Sequence, residues 1–156
     1  MRLVLPVESG WQRRELDAAR TEHVIEGTFD APEVALVLHH PRPLVTSFRE
    51  WIEQVVTAGL APGETVTIND ETDVPHELGW RMHVVHALVR RADRPDPVEL
   101  RLAAFYRFLA YDAAAVVIGR RPERYEERRV DLLARFARGR PEWNGPELRA
   151  LADFYH

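Results

Sequence analysis

The chain has 156 residues, of which 46% are hydrophobic and 29% are charged, values that are ordinary for one globular domain. The absence of cysteine excludes disulfides, thiolate nucleophiles and cysteine-based zinc sites, and the absence of lysine excludes Schiff-base chemistry. The net charge of −4 argues against general nucleic-acid binding, and no apolar run approaches the ~20 residues that span a bilayer. The start of the chain lacks the apolar core of a secretory signal, so we expect a cytoplasmic protein that does not insert into membranes.

The first third of the chain predicts strands followed by a helix. Alternation favours a strand at Thr21–Phe29, whereas Arg13–Arg20 tolerates a strand or a helix. Glu33–His40 is rich in Val and Leu and predicts a further strand. Ser47 and Glu50 then form a capping box, which satisfies backbone donors at a helix start. The residues that recur there at helical spacing are Phe48, Trp51, Ile52, Val55, Val56 and Leu60. We therefore predict one amphipathic helix that packs on a sheet.

The middle of the chain predicts antiparallel strands. Thr65–Asn69 alternates β-branched residues as a strand does, and we expect the acidic segment Asp70–Glu77 after it to be a solvated loop. Val98–Gly119 is long and largely apolar, which suits either one buried helix or a β-hairpin. Its clean alternation favours the hairpin, with the turn at Ala110–Ala113.

The last third of the chain predicts two helices. Pro122 begins the first, at a position where its missing N–H is harmless, and Gly139 with Pro141 ends it. Glu142–His156 forms a tail that contains a short helix. The order of elements indicates a single α+β domain over residues 1–140, with an antiparallel β-sheet packed with helices, followed by a C-terminal extension over residues 141–156.

The segment Gly79–Arg91 decides whether the chain has a metal site. As a helix it would bring His83 and His86 onto one face, near His76; as a strand it would point them to opposite faces. Its alternation and its turn-marked ends favour the strand, so we predict no metal site. The chain also lacks a serine-centred nucleophile elbow and a glycine-rich phosphate loop, so we predict no catalytic residues and no cofactor.

The remaining signals concern protein binding. Aromatic residues on strand faces most often form a core, and the alternative is an apolar groove for a partner's helix. The candidate apolar contacts are Trp80, Met82, Tyr106 and Phe108. Charge is also uneven, because Arg120–Arg140 holds eight Arg and Glu64–Glu77 holds five acids without a base. The candidate acidic contacts are Asp70, Glu71 and Asp73.

The layout as a whole resembles the DcrB-related family, whose fold is similar to that of the photosystem II protein PsbP. The resemblance spans about residues 1–140 and lies in element order and in anchor segments, namely Pro6–Trp11, Glu33–Val56, Gly79–Trp80, Val98–Gly119 and Arg124–Arg128. It implies a PsbP-like α/β/α sandwich in a bacterial, non-enzymatic scaffold. Family members associated with type VI secretion act as adaptor-chaperones, usually as dimers, and shield hydrophobic helices of effectors. The resemblance therefore implies a protein partner and a homodimer.

Two other functions stay open at this point. An immunity or structural-interaction protein would contact its partner through Asp70–Glu77. A small metal-dependent enzyme would use the histidines His76, His83 and His86. His39 and His40 are adjacent on a predicted strand, so their side chains diverge and rarely bind one metal.

Overall fold

The computed structural model describes residues 1–43, 45–75, 81–108, 111–143 and 145–154, without the side chains of residues 81, 108, 150, 151 and 154. The described residues form nine strands and three helices. In chain order they are β1 (Arg2–Val4), β2 (Gln12–Glu15), β3 (Arg20–Gly27), β4 (Pro32–Arg42), α1 (Phe48–Thr57), β5 (Glu64–Pro75), β6 (Arg81–Arg91), β7 (Glu99–Phe108), β8 (Tyr111–Gly119), α2 (Pro122–Ala137), β9 (Arg140–Glu142) and α3 (Gly145–Phe154).

Seven of the strands form one antiparallel sheet in the order β2-β3-β4-β8-β7-β6-β5. The predicted α+β class, an antiparallel sheet packed with helices, is therefore confirmed. Arg13–Arg20, for which the sequence allowed two structures, forms the end of β2, a turn and the start of β3. The start of the tail is also a strand, because β9 pairs with β1 in a separate two-stranded sheet.

The sheet carries a hydrophobic core on each face. On the α2 face, strand residues pack against α2 and the N-terminal residues; the largest fully buried side chains there are Leu36, Leu38, Leu102, Leu132 and Phe136. On the α1 face, the helix α1 packs on the sheet; the fully buried side chains there include Ile52, Val55, Val56, Val85 and Phe105. Full burial of one such side chain contributes about 1.5–3 kcal/mol, so the two cores supply most of the favourable free energy of folding.

The helix α1 begins and ends as the sequence predicts, with one additional anchor. The Ser47 side chain accepts a hydrogen bond from the backbone N–H of Glu50 at 3.2 Å, which confirms the N-terminal cap. Gly59 follows the helix with a φ of 75°, the left-handed conformation that glycine adopts most readily. The additional anchor is Arg101 on β7, which donates to the carbonyl oxygens of Val56 at 2.7 Å and Ala58 at 2.9 Å. A guanidinium at this position satisfies carbonyls that the helix itself leaves open.

The hairpin predicted for Val98–Gly119 is confirmed, with a correction to its turn. β7 pairs with β8 in register from Leu100 to Phe108, and β8 already begins at Tyr111. The predicted turn at Ala110–Ala113 is therefore too long; residues 109 and 110 lie outside the described part. Asp112, a residue type typical of turns, is instead buried in the strand because Arg107 on β7 gives its carboxylate a cross-strand partner at 3.2 Å.

The expected acidic loop Asp70–Glu77 is wrong over its described part, because β5 continues to Pro75. An edge strand tolerates such residues, since one side of its backbone and much of its side-chain surface remain in water. A β-bulge between Ile68 and Asp70 shifts the register. As a result Glu71 and Asp73 lie on the α1 face, whereas Asp70 lies on the α2 face.

Candidate functional site

The described part of the Gly79–Arg91 segment is the strand β6, as predicted. The ring of His83 lies on the α1 face, 5.5 Å from the ring of Phe48, and strand alternation places His86 on the face that Met82 and Val84 share. The prediction that the two histidines point to opposite faces is confirmed. His76 and Trp80 lie outside the described residues. Within the described ranges, no three His, Cys, Asp or Glu side chains converge as metal ligands would.

The predicted apolar contacts are interior side chains where they are described. Met82 and Tyr106 are each 6% exposed in the core on the α2 face, and the ring of Tyr106 lies 4.9 Å from that of Phe136. Burial raises the pKa of Tyr106 to about 12. The side chain of Phe108 lies outside the described part. Burial in the core was the alternative that the sequence allowed, and a role for these residues in partner binding stays a prediction.

The predicted acidic contacts are divided between the two faces of the sheet. Glu71 accepts a bidentate ion pair from Arg49 of α1, at 2.6 and 2.9 Å, and the hydrogen bond from this guanidinium lowers the pKa of Glu71. Asp73 lies 2.9 Å from Nδ1 of His83. Asp70 is exposed on the opposite face. The acids thus help to hold α1 and β6, and they do not form one continuous acidic surface.

A different surface has the shape of a binding site, and we name it the α1 groove. The helix α1 contacts β5, β7 and β8, and beside it lies an open cavity of about 320 Å³ above β4 and β8. Its apolar lining comprises Leu16, Phe29, Pro32, Ala35, Val37, Val55, Val116 and Ile118. Its charged rim comprises Arg14, Arg20, Glu22, Asp30, Glu99, Arg101 and Arg120. The lining is thus mixed, with apolar side chains on the floor and charged side chains around them, and such a concavity can serve as a binding pocket.

Most charges on the rim of the α1 groove are paired with one another. Arg14 contacts Glu22 at 2.7 Å, and Glu99 contacts both Arg101 at 2.6 Å and Arg120 at 3.4 Å. Glu22, Glu99 and Arg101 are buried. Because these carboxylates already have partners, the rim holds its charged side chains in fixed positions around the apolar floor.

The groove has a polar end where α1 faces the last residues of β4. A second cavity of about 210 Å³ shares Arg20, His39 and Ala58 with the groove and is also lined by Arg42 and Trp51. The rings of His39 and Trp51 meet edge to face, with centroids 5.8 Å apart. Their nitrogens, Nε2 of His39 and Nε1 of Trp51, are buried, and neither has a hydrogen-bond partner among the described residues. Burial, followed by the charges of Arg20 and Arg42, lowers the pKa of His39 to about 4.

The adjacent histidine, His40, has a structural role on the α2 face. Its Nδ1 accepts a hydrogen bond from the backbone N–H of Leu3 at 3.1 Å, so in the neutral ring the proton is on Nε2. That Nε2 lies 2.7 Å from Oγ1 of Thr21, which in turn donates to Glu15 at 3.0 Å. Both ring nitrogens of His40 are thus satisfied, in contrast to His39. The divergence of these two side chains is as predicted from their adjacency on a strand, whereas the polar end of the groove has no signal in the sequence.

The architecture and its two covered faces define a PsbP-like α+β fold. The structure is similar to the solution structure of cyanobacterial PsbP (CyanoP) from Synechocystis sp. PCC 6803, with a TM-score of 0.64, 7% sequence identity, and coverage of 88% of this chain and 85% of that chain. At this identity the likeness shows the fold alone. No protein-family model matches the chain, and no curated protein is significantly similar to it in sequence. None of the helices in the described ranges is long and apolar enough to cross a membrane.

Proposed function

We propose that this protein is a non-enzymatic, protein-binding scaffold of the DcrB-related type. In this proposal it is an adaptor-chaperone for a secreted effector, such as a type VI effector, and it accepts an apolar helical segment of that partner in the α1 groove. The open groove beside α1, with its apolar floor, is the observation that carries the proposal. An amphipathic helix that inserts its apolar face into such a groove is a recurrent mode of peptide recognition.

The composition of the groove supports a protein segment as the occupant. Its floor comes from the rigid strands β4 and β8, so an apolar stripe on the partner would be desolvated against preorganised side chains. The paired charges of the rim surround this floor and would exclude water from it, while offering polar contacts to the flanks of a helix. This geometry is compatible with the proposed chaperone function, because an apolar helix that is covered does not aggregate before its delivery.

Co-expression with the product of a neighbouring effector gene tests the proposal. We expect the wild-type chain to raise the soluble yield of the effector. The half-buried groove residues Leu16 and Ile118 offer the test variants Leu16→Gln and Ile118→Gln, each of which should weaken binding about tenfold through lost apolar contact. The control is Val130→Gln, because Val130 is 66% exposed on α2 at the other face. An effector that binds all three variants equally well would contradict the groove as the binding site.

A second candidate function is an immunity or structural-interaction protein that uses the acidic strand. The observation that favours it is that β5, 12 residues long, pairs with β6 alone among the described strands and leaves its outer edge open. Such an edge can receive a strand from a partner. The variant Asp70→Arg reverses an exposed charge on this strand, and an unchanged affinity for the partner would count against this candidate.

A homodimer, which the family resemblance implies, is part of the first proposal, and light scattering would measure its mass.

A further inference from the structure

We propose that the polar end of the α1 groove binds a carboxylate attached to an apolar chain. The carboxylate would lie at His39, Trp51, Arg20 and Arg42, and the apolar chain would extend along the groove floor. This inference rests on the proposed function, since it names the chemical group that the groove recognises. The carboxylate has two sources, a free amphipathic acid or an acidic residue of the partner's helix, and the experiment separates them.

Two buried nitrogens at this end of the groove lack hydrogen-bond partners among the described residues. The indole N–H of Trp51 only donates, so it requires an acceptor, and Nε2 of His39 donates in the tautomer that carries its proton there. Trp51 is 3% exposed and His39 is 7% exposed, so water does not freely solvate either side chain. Buried polar groups are rarely left unpaired in native structures, and each exception calls for an explanation, such as a functional role or a bound ion. A carboxylate oxygen is an acceptor that both nitrogens would fit.

The charged side chains nearest these nitrogens are mainly positive. The guanidinium of Arg42 lies over the Trp51 ring at 4.7 Å from its centroid, and Arg20 lines the same cavity. Asp17 is the acidic residue of this lining, and it is paired with Arg20 at 2.9 Å. Both arginines contribute to the low pKa of His39, which is the effect that a positive local potential has on an imidazole. An anion therefore suits this end of the groove.

The nearby end of α1 has open carbonyls, which would otherwise repel an anion. Arg101 donates to the carbonyls of Val56 and Ala58, and Ala58 lines the polar cavity. The negative end of the helix is thus offset from within the protein. The groove volume of about 320 Å³ lies at the lower end of the ~300–1,000 Å³ of typical ligand pockets, which suits one short apolar chain.

Titration of the full chain with sodium octanoate and with octan-1-ol, followed by NMR, tests the carboxylate. These probes share the apolar chain and differ in the head group. We expect octanoate to bind about tenfold more tightly than octan-1-ol, as a charge-assisted hydrogen bond implies. The variants Trp51→Phe and Arg42→Gln should each lower the affinity for octanoate about tenfold and leave the affinity for octan-1-ol unchanged. Arg42 is exposed, so Arg42→Gln remains readable if Trp51→Phe fails to fold. Trp11→Phe is the matched control, since Trp11 packs against the core on the α2 face.

Each outcome supports or overturns the inference. It is overturned if octanoate does not bind, if octan-1-ol binds as tightly, or if Arg42→Gln leaves octanoate binding unchanged. The proposed function fails separately, if Leu16→Gln leaves effector binding intact while octanoate still binds. Octanoate that competes with the effector in wild type, together with loss of effector binding in Arg42→Gln, assigns the carboxylate to the partner. Octanoate binding without either effect assigns it to a free amphipathic acid.

Discussion

The buried guanidinium of Arg101 offers the sharpest test of how α1 is held on the sheet. Arg101 is 3% exposed and makes three hydrogen bonds, to Glu99 at 2.6 Å and to the carbonyls of Val56 and Ala58. The variant Arg101→Met keeps most of the apolar stem and removes all three donors. Glu99, itself buried, would retain Arg120 at 3.4 Å as its ion-pair partner, and the two helix carbonyls would lose their donor.

The expected loss follows from these contacts. Removal of one partner from a buried ion pair typically costs about 3–5 kcal/mol, and in this variant the more distant Arg120, at 3.4 Å, compensates the buried carboxylate of Glu99 only in part. We expect the free energy of unfolding of Arg101→Met to fall within that range, measured by urea denaturation as a shift of the midpoint at constant slope. Hydrogen exchange in the last turn of α1 should also accelerate, because its carbonyls lose their anchor.

A second variant separates the buried charge from the lost packing. In the double variant Arg101→Met/Glu99→Gln the buried carboxylate, which Arg120 compensates only in part, is gone. Because Arg101 and Glu99 are in contact, their substitutions are coupled, and we expect the double variant to recover about half of the loss. The reasoning is refuted if Arg101→Met costs less than about 1 kcal/mol, the value of an exposed ion pair. It is also refuted if Glu99→Gln lowers the stability of the Arg101→Met variant by as much as it lowers the stability of the wild-type protein.

Three further predictions concern pH, the helix cap and a close contact. The pKa values of His39 and His40 fall from 6.5 to about 4 in the folded protein, so the unfolded chain binds more protons between these values. The free energy of unfolding should therefore decline as pH falls from 6.5 towards 4, by at most ~1.4 kcal/mol per pH unit for each histidine, and His39→Phe should reduce this slope in urea titrations between pH 7 and 4.5. Ser47→Ala removes the side-chain acceptor for Glu50 and should cost about 1 kcal/mol in the same assay, with Ser47→Gly costing less. A Cβ at position 119 would lie 2.7 Å from Cδ2 of Tyr125, so Gly119→Ala should cost about 1–3 kcal/mol by displacing α2; an unchanged stability would show that α2 shifts freely.

The sequence predicts those elements whose signals are local. The helix start at Ser47, the strand at Arg81–Arg91 and the hairpin of Val98–Gly119 each have a signal within about 10–20 residues. The N-cap, the strand and the hairpin all form, with a shorter turn than predicted in the hairpin. The acidic end of β5 was predicted wrongly because its propensity is that of a loop. Its strand depends on partners distant in sequence, Arg49 for Glu71 and the backbone of β6 for the whole segment.

The α1 groove could not be predicted, because it depends on where α1 lies across the sheet. The helix packs over β5 to β8, and the position of Arg101, which is 43 residues from Ala58 in sequence, fixes the end of the helix beside β4. No periodicity encodes this offset. The sequence does show that Val37 and His39 share one strand face, but it does not show which part of that face a helix will cover.

Of the two adjacent histidines of β4, His40 contributes to the fold, whereas His39 lies at the proposed binding site. They are consecutive residues of one strand, and burial lowers the pKa of both. His40 faces the N-terminal residues, where a backbone N–H and a hydroxyl satisfy its two nitrogens, so its burial is explained by the fold alone. His39 faces α1, where the only aromatic nitrogen beside it, that of Trp51, is also unsatisfied among the described residues. Folding by itself gives no reason to bury two such nitrogens together beside two arginines, whereas a carboxylate bound at this end of the groove does.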